Sequence, residues 1–374
     1  MLTPAQIEAL RDRVTQISDP LTEYLLADIA RRISQAGQLT STAAYEVWRT
    51  QNLGMSQREI KKWMRDYLKL SHRDIRKLLA QSAEVGYNFD IKRFPQVQAV
   101  AFKDNFVLQQ TVSAAVKLAQ NDFTNITQTL GMIDPYGKAL PLQDVYHSAT
   151  DFAFQQIFTG ATDYNTAIRR ATANIAKYGL LTINYESGVH TGLEAAIRRN
   201  VMGGLGLMQE QISQQNHDTL KADGWEISAH AASAPDHEPI QGKQYTDAEY
   251  QALNDSLVRR IGTLNCGHAA FPIILGVNKP QYTAADLAKF KADNANGINY
   301  QGRHYTTYEA TQWQRKLERS MRYQKRRELV ANASGDAEQA KEAKTRLTLL
   351  QQEYRRFSKA AGLPTQYERA AIAA

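Results

Sequence analysis

Gly224-Trp225-Glu226-Ile227-Ser228-Ala229-His230 is where this chain changes its period. Before it, and again after Pro280, apolar residues recur at helical spacing. Here they alternate with polar ones, as in a half-buried strand. A second extended piece follows at Lys243-Gln244-Tyr245, then a short helix around residues 248 to 257 and the apolar run Phe271-Pro272-Ile273-Ile274-Leu275. The reading predicts a mainly α, multidomain helical protein with a small α+β domain near residues 224–280 and a long C-terminal helical pair. The expected divisions are an N-terminal helical bundle over 1–95, a central helical domain over 96–223, the α+β domain over 224–280 and a basic helical region over 281–374.

The loops of the α+β domain hold an unusual set of side chains. Ser228-Ala229-His230, Pro235-Asp236-His237, Gln241-Gly242-Lys243 and Asn265-Cys266-Gly267-His268 place three of the eight histidines and the only cysteine in one short segment. Such groups are costly to bury without partners, so their clustering predicts a structured polar site.

Outward from that segment the chain reads as helix. In the N-terminal part, Ser18-Asp19-Pro20 offers a cap and a first-turn proline, Leu21, Leu25, Ile29 and Ile33 follow at helical spacing, and Gly37 stops the pattern. A helix over 42–52 comes next. Ser56-Gln57-Arg58-Glu59 and Ser71-His72-Arg73-Asp74 are capping-box patterns ahead of further apolar runs, so four short helices are expected. Arg58, Lys61, Lys62 and Arg65 would give a helix-turn-helix one charged face; the plainer reading is a solvated bundle surface.

The central region keeps a period near 3.6 from Gln96 to Gly131 and from Asp144 to Asp223, with a turn at Asp134-Pro135-Tyr136-Gly137. Tyr185-Glu186-Ser187-Gly188 breaks it ahead of a long helix carrying Glu194, Arg198 and Arg199; Glu194 and Arg198 are spaced for an intrahelical ion pair. At the C-terminal end, two long helices meet at Ser334-Gly335-Asp336 and close at Gly362-Leu363-Pro364. Arg315, Arg319, Arg322 and Arg326 fall on one face of the first, an arginine stripe suited to DNA phosphates or an acidic protein surface. Its alternative is a solvated face paired with Glu309, Glu318 and Glu328. Tyr300, Tyr305, Tyr308, Trp313 and Tyr323 interleave with these cations, which suits base stacking or the core between two helices.

Composition narrows the function. The 374 residues are 43% hydrophobic and 22% charged, which is ordinary for a folded protein, and the net charge of +7 favours polyanionic partners. One cysteine makes no internal disulfide, so a reducing cytoplasm suffices for synthesis. No run approaches the length of a membrane span, and Met1-Leu2-Thr3-Pro4-Ala5 lacks the features of a signal peptide, so no membrane partner is expected.

Three readings of the polar segment follow from its residue types. His230, His237, Cys266 and His268 are zinc-type ligands, although a Cys-x-His pair matches no standard finger or ribbon. A metal-dependent hydrolase or nuclease would use Asp236 and His237 as base and ligand, Asn265 to orient it, and His268 to complete the site. In the third, the histidines and Asn265 simply hydrogen-bond the loops of a domain with little core, and Cys266 is a small buried residue.

Taken in order, Tyr185-x-Ser187-Gly188, Glu194-Ala195-Ala196-x-Arg198-Arg199, Ser228-x-His230, Pro235-x-His237, Gln241-Gly242-Lys243-x-Tyr245, Asn265-Cys266-x-His268 and Phe271-Pro272 resemble the tailed-phage minor capsid protein 2 family. Ile29-Ala30-Arg31-Arg32-Ile33 and Leu39-Thr40-x-Thr42-Ala43 extend the likeness towards the start. Tyr305-Thr306-x-Tyr308-Glu309-Ala310-Thr311-Gln312-x-Gln314-Arg315 and Leu317-Glu318-Arg319 extend it towards the end.

The resemblance implies a virion component, a low-copy minor head protein similar in role to MuF-type head morphogenesis proteins, made in the host cytoplasm. Its implied partners are the portal and major capsid proteins, packaged DNA and other copies of itself; no catalytic residue or cofactor is expected. The chain departs from the family pattern at Ser233-Ala234, where an Ala-Arg pair is common, and at Ile240, where a tryptophan is common. A missing arginine beside the histidines removes the natural stabiliser of a developing negative charge, which weakens a catalytic reading.

Overall fold

The computed structural model describes residues 4–95, 98–184, 187–258, 260–262 and 267–372. It is mainly helical with small antiparallel sheets, as the periodicity predicts.

The N-terminal part is built from α1 (Pro4–Ile17), α2 (Asp19–Gly37) and α3 (Thr42–Lys92). Ile7, Leu10 and Val14 face inward from α1, which the sequence reading overlooked. The expected starts at Ser56 and Ser71 do not occur: α3 runs through both for 51 residues. The energetics explain why. A serine cap stabilises a helix end by about 1 kcal/mol, whereas each of Ile75, Leu78 and Leu79 gains roughly 1.5–3 kcal/mol from staying buried in phase with Tyr67. Ser18 likewise has helical geometry and makes no side-chain cap. Arg58, Lys61, Lys62 and Arg65 are exposed on this continuous helix, which contains no turn of the kind a helix-turn-helix requires.

In the central part α4 (Phe106–Gln128), α5 (Leu142–Phe158), α6 (Tyr164–Tyr178) and α7 (Leu193–Leu220) surround a sheet not foreseen in the sequence. Its strands β1 (Leu130–Ile133), β2 (Ala139–Pro141), β3 (Leu181–Ile183) and β4 (His190–Gly192) lie in the order β2-β1-β3-β4, all antiparallel. The Asp134 turn joins β1 to β2; the Asp134 carboxylate accepts the amides of Tyr136 and Lys138 at 3.0 and 2.8 Å. One hydrophobic core runs from Ile7 through Leu79, Phe123 and Ile175 to Met208 and takes in Val330. Residues of both segments, 1–95 and 96–223, contribute to this core.

The α+β unit forms where the period changes. Strands β5 (Gly224–Ile227), β6 (Gln244–Thr246) and β7 (Ala270–Ile273) make an antiparallel sheet in the order β6-β5-β7, with α8 (Asp247–Ser256) following β6. Trp225 lies opposite Tyr245 on one side and Pro272 on the other.

After α9 (Ala284–Asn296) and the hairpin β8 (Ile298–Tyr300) and β9 (Arg303–Tyr305), the chain ends in the helices α10 (Thr307–Ser334) and α11 (Ala337–Ala360). Gly335, at φ +83°, terminates α10, and Asp336 caps α11 by accepting the Gln339 amide. Arg169 of α6 grips both Asp336, at 2.5 Å, and Glu338, at 2.7 Å, tying this pair to the central part.

Candidate functional site

The polar loops of the α+β unit converge around Gln241. Its side-chain oxygen accepts the backbone N–H of His230 at 3.0 Å and lies 3.0 Å from His268 Nε2. An amide oxygen only accepts, so His268 carries its proton on Nε2 and donates it to Gln241. Ser233 Oγ sits 3.4 Å from the same nitrogen and donates to the Ala234 carbonyl at 3.3 Å. Ser228 closes the other side: its N–H donates to the Ala269 carbonyl and its hydroxyl accepts the Ala269 amide, both at 2.9 Å. Ser228, Ser233, His237, Gln241 and His268 are all buried.

The three histidines touch one another through their rings. His230 stacks on His268 with centroids 4.5 Å apart, and His237 meets His268 edge-on at 5.3 Å. Stacked imidazoles present faces to each other rather than lone pairs to a common centre. His237 Nε2 lies 3.9 Å from the Asp236 carboxylate, beyond hydrogen-bond reach. Among the described residues no group of three or more His, Cys, Asp or Glu side chains is arranged to hold a metal ion. Asn265 and Cys266, named in the zinc and nuclease readings, lie outside the described residues, as does Tyr185. A cavity of about 90 Å³ bordered by Leu205, Trp225, Tyr250, Ile261 and His268 adjoins the cluster. Small-molecule sites usually offer at least ~300 Å³.

Gly242 explains the Gln-Gly pair. It has φ +67°, donates its N–H to the Ile227 carbonyl at 2.8 Å, and a Cβ there would lie 2.3 Å from Leu287 Cδ2 on α9. Glycine holds the turn that presents Gln241 and lets α9 close over it.

The structure also reveals a buried anchor that strand alternation conceals, because all four residues of β5 are buried. Glu226 accepts the Gln281 amide at 2.7 Å and the Gln244 side chain at 3.1 Å, and pairs with Arg93 at 3.4 Å. Arg93, just past α3, lies over the Phe271 ring at 4.4 Å, and burial lowers its pKa from the ordinary arginine value. A buried carboxylate needs such a set of partners.

The remaining motif residues lie elsewhere. Ser187 sits in the β3–β4 turn, where its N–H donates to the Asn184 side chain. Arg198 and Arg199 are on α7, the first half-buried and the second exposed. Glu194 of the same helix is held by Arg322 at 2.8 Å.

The arginine stripe on α10 is divided by its packing. Arg322, buried between helices, pairs with Asp19 of α2 at 3.1 Å as well as with Glu194, and donates to the Arg369 carbonyl. Arg326 donates to the carbonyls of Ala176 and Lys177 at 3.0 and 2.9 Å, capping the C-terminus of α6, where a cation also suits the helix dipole. Arg319 is exposed and Arg315 half-buried. Of the four, Arg322 and Arg326 are thus engaged within the fold. Of the carboxylates considered as partners, Glu309 caps α10 and Glu318 accepts the Tyr354 hydroxyl at 2.9 Å. Burial pushes the Glu318 carboxyl up to about 7. Tyr300 and Tyr305 pack edge-on against Phe357 of α11, in the core between the helices rather than on an open stacking surface.

No curated protein and no solved structure matches the chain. No helix among the described residues is long and apolar enough to cross a membrane. The family model for phage minor capsid protein 2 matches residues 2–359, nearly the whole length. The chain accordingly belongs to the phage minor capsid protein 2 family, whose members are structural components of the bacteriophage virion.

Proposed function

We propose that this chain is a minor head protein that works by binding. It occupies the portal vertex or inner capsid surface, contacts portal and major capsid proteins, associates with further copies of itself, and supports head assembly and DNA packaging or delivery. Arg315 and Arg319 are its contacts to DNA phosphates. The observation that carries the reading is the family match across residues 2–359, which spans nearly the whole fold and not one module of it. The polar loops agree with it: Gln241, Ser228, Ser233 and His268 hold each other and the backbone in place, which is what a fold-stabilising network does.

Cross-linking of purified virions followed by mass spectrometry tests the proposal. Cross-links from this chain to portal and major capsid proteins are expected. A chain absent from the virion, or linked only to tail proteins, would overturn it. The hydrolytic alternative is addressed by incubating the purified protein with plasmid DNA and magnesium, manganese or zinc; metal-dependent cutting abolished by His268→Ala would establish an enzyme in place of a binding protein.

A further inference from the structure

A charged cleft of about 270 Å³ lies between α1, α7, α10 and the C-terminal segment, and it joins residues that the sequence keeps far apart. Its basic lining consists of Arg11, Arg198, Arg315, Arg319, Arg322 and Arg369. Asp12, Glu194 and Glu318 also line it, so six guanidinium groups face three carboxyl groups.

Three features distinguish this cleft from an ordinary ion-pair network. First, every basic side chain in the lining is an arginine and none is a lysine. A planar guanidinium offers paired N–H donors that match two oxygens of a phosphate or carboxylate, whereas an ammonium acts as a point charge. Second, guanidinium groups in the lining outnumber carboxyl groups two to one. Asp12 is taken by Arg369 at 2.6 Å and Glu194 by Arg322 at 2.8 Å. Burial keeps Glu318 partly protonated near neutrality, with the Tyr354 hydroxyl donating to it. Arg319 makes no ion pair among the described residues and stands exposed at the cleft. Third, Arg322 is 4% exposed, and its Nε has no hydrogen-bond partner among the described residues. A buried donor left unmade costs about 1–3 kcal/mol, a deficit that an acceptor oxygen in the cleft would relieve.

We propose that this cleft is a binding site for a phosphate-class oxyanion, held by Arg198 of α7 together with Arg315 and Arg319 of α10 over a floor formed by Arg322. It deepens the assignment of Arg315 and Arg319 as phosphate contacts and rests on that assignment for those two residues. It adds Arg198, and it leaves out Arg326, which is engaged by the carbonyls of α6. The two family motifs Glu194-Ala195-Ala196-x-Arg198 and Gln314-Arg315-x-Leu317-Glu318-Arg319 would thereby act as halves of one site. The phosphate could belong to the nucleic-acid backbone or to a free phosphorylated molecule, since the recognition chemistry is the same.

Calorimetric titration of the full chain with inorganic pyrophosphate at low salt tests the cleft. The variants are Arg319→Glu, Arg198→Ala and, as a charge control on α11, Arg346→Ala. Saturable binding by the parent and by Arg346→Ala is expected, weakened about tenfold or more in the other two, or about 1.4 kcal/mol. Matching unfolding midpoints for Arg319→Glu and the parent confirm that the site and not the fold was changed. No saturable binding by the parent, or equal binding by all four proteins, would overturn the proposal. A second arm adds a short duplex oligonucleotide as competitor. Competition assigns the phosphate to nucleic acid; pyrophosphate binding that the oligonucleotide leaves untouched assigns it to a free phosphorylated molecule, and either result upholds the cleft. Virion cross-linking reads the place in the head independently, so failure of one assignment is distinguishable from failure of the other.

Discussion

Replacing Arg322 with methionine separates what the arginine stripe does for the fold from what it does for a ligand. Arg322 is buried, pairs with Asp19 and Glu194, and reaches the Arg369 carbonyl, so it joins α2, α7, α10 and the C-terminal segment. Methionine fills much of the volume but leaves the Asp19 carboxyl, 3% exposed, without its cation. Breaking one side of a buried ion pair typically costs about 3–5 kcal/mol, and that is the expected loss at pH 8 in chemical denaturation. The pH dependence gives a sharper check. Burial already pushes the Asp19 carboxyl up to about 7 against the pull of Arg322, and removal of the cation raises it further. A raised carboxyl pKa means that the folded state binds the proton more tightly, so its instability is absent below the unfolded pKa and develops as pH rises through the folded one. The deficit of Arg322→Met should therefore shrink between pH 8 and pH 5. Arg319→Met, at an exposed position, should stay within about 0.5 kcal/mol of the parent at both. A loss below about 1 kcal/mol in Arg322→Met, or one that is the same at both pH values, would refute the assignment of Arg322 to a fold-holding pair.

Other substitutions probe the remaining features. Gly242→Ala forces a side chain onto φ +67° and towards Leu287, and should cost about 2–3 kcal/mol in thermal unfolding; pairing it with Leu287→Ala should return the steric part but not the backbone part of about 1 kcal/mol. Gln241→Leu removes the side-chain oxygen that accepts from the half-buried His230 amide and from the buried His268 Nε2, about 1–3 kcal/mol for the buried donor, and should lower the unfolding midpoint while shifting the His268 ring resonances in NMR. Glu318, with its carboxyl raised to about 7, makes the parent lose stability as pH rises from about 4.5 to about 7; Glu318→Gln should flatten that slope, and an unchanged slope would place the titrating group elsewhere. Metal analysis of the purified protein should find well under one zinc per chain, with a chelator leaving the melting curve in place; stoichiometric zinc lost on His268→Ala would contradict the hydrogen-bonded role of that ring.

The fold was legible where long apolar periods decide it and obscure where single residues do. The change of period at Gly224 located β5 and the α+β unit, and the stop at Gly335 located the C-terminal helix pair. Strands β1 to β4 escaped because each is three or four residues long, too short to show alternation, and β1 is buried at every position. Ser56 and Ser71 misled because a local capping signal is weaker than continuous burial along α3. The histidine cluster was visible as composition, but the organising role of Gln241 was not, since it depends on two loops meeting across eleven and twenty-seven residues. Similarly, helical spacing placed the four arginines on one face. Which of them are buried is set by α2, α6 and α7, and no local pattern records that.

The length of α3 bears on how the molecule can respond to load. At 1.5 Å per residue its 51 residues form a strut about 75 Å long. One end is capped by Ser41, whose side chain accepts the Ala44 amide, and the other passes directly into Arg93, clamped to Glu226 and Phe271. The α+β unit is thereby fixed to the end of α3 by direct contacts, in addition to the packing of β7 on α7. Helices bend gently but resist sharp folding, so tilting this one by about 5° at its start carries its tip several ångströms. Because Leu53, Tyr67, Ile75, Leu79 and Tyr87 seat α3 in the shared core, such a tilt would carry the helices packed along it as well.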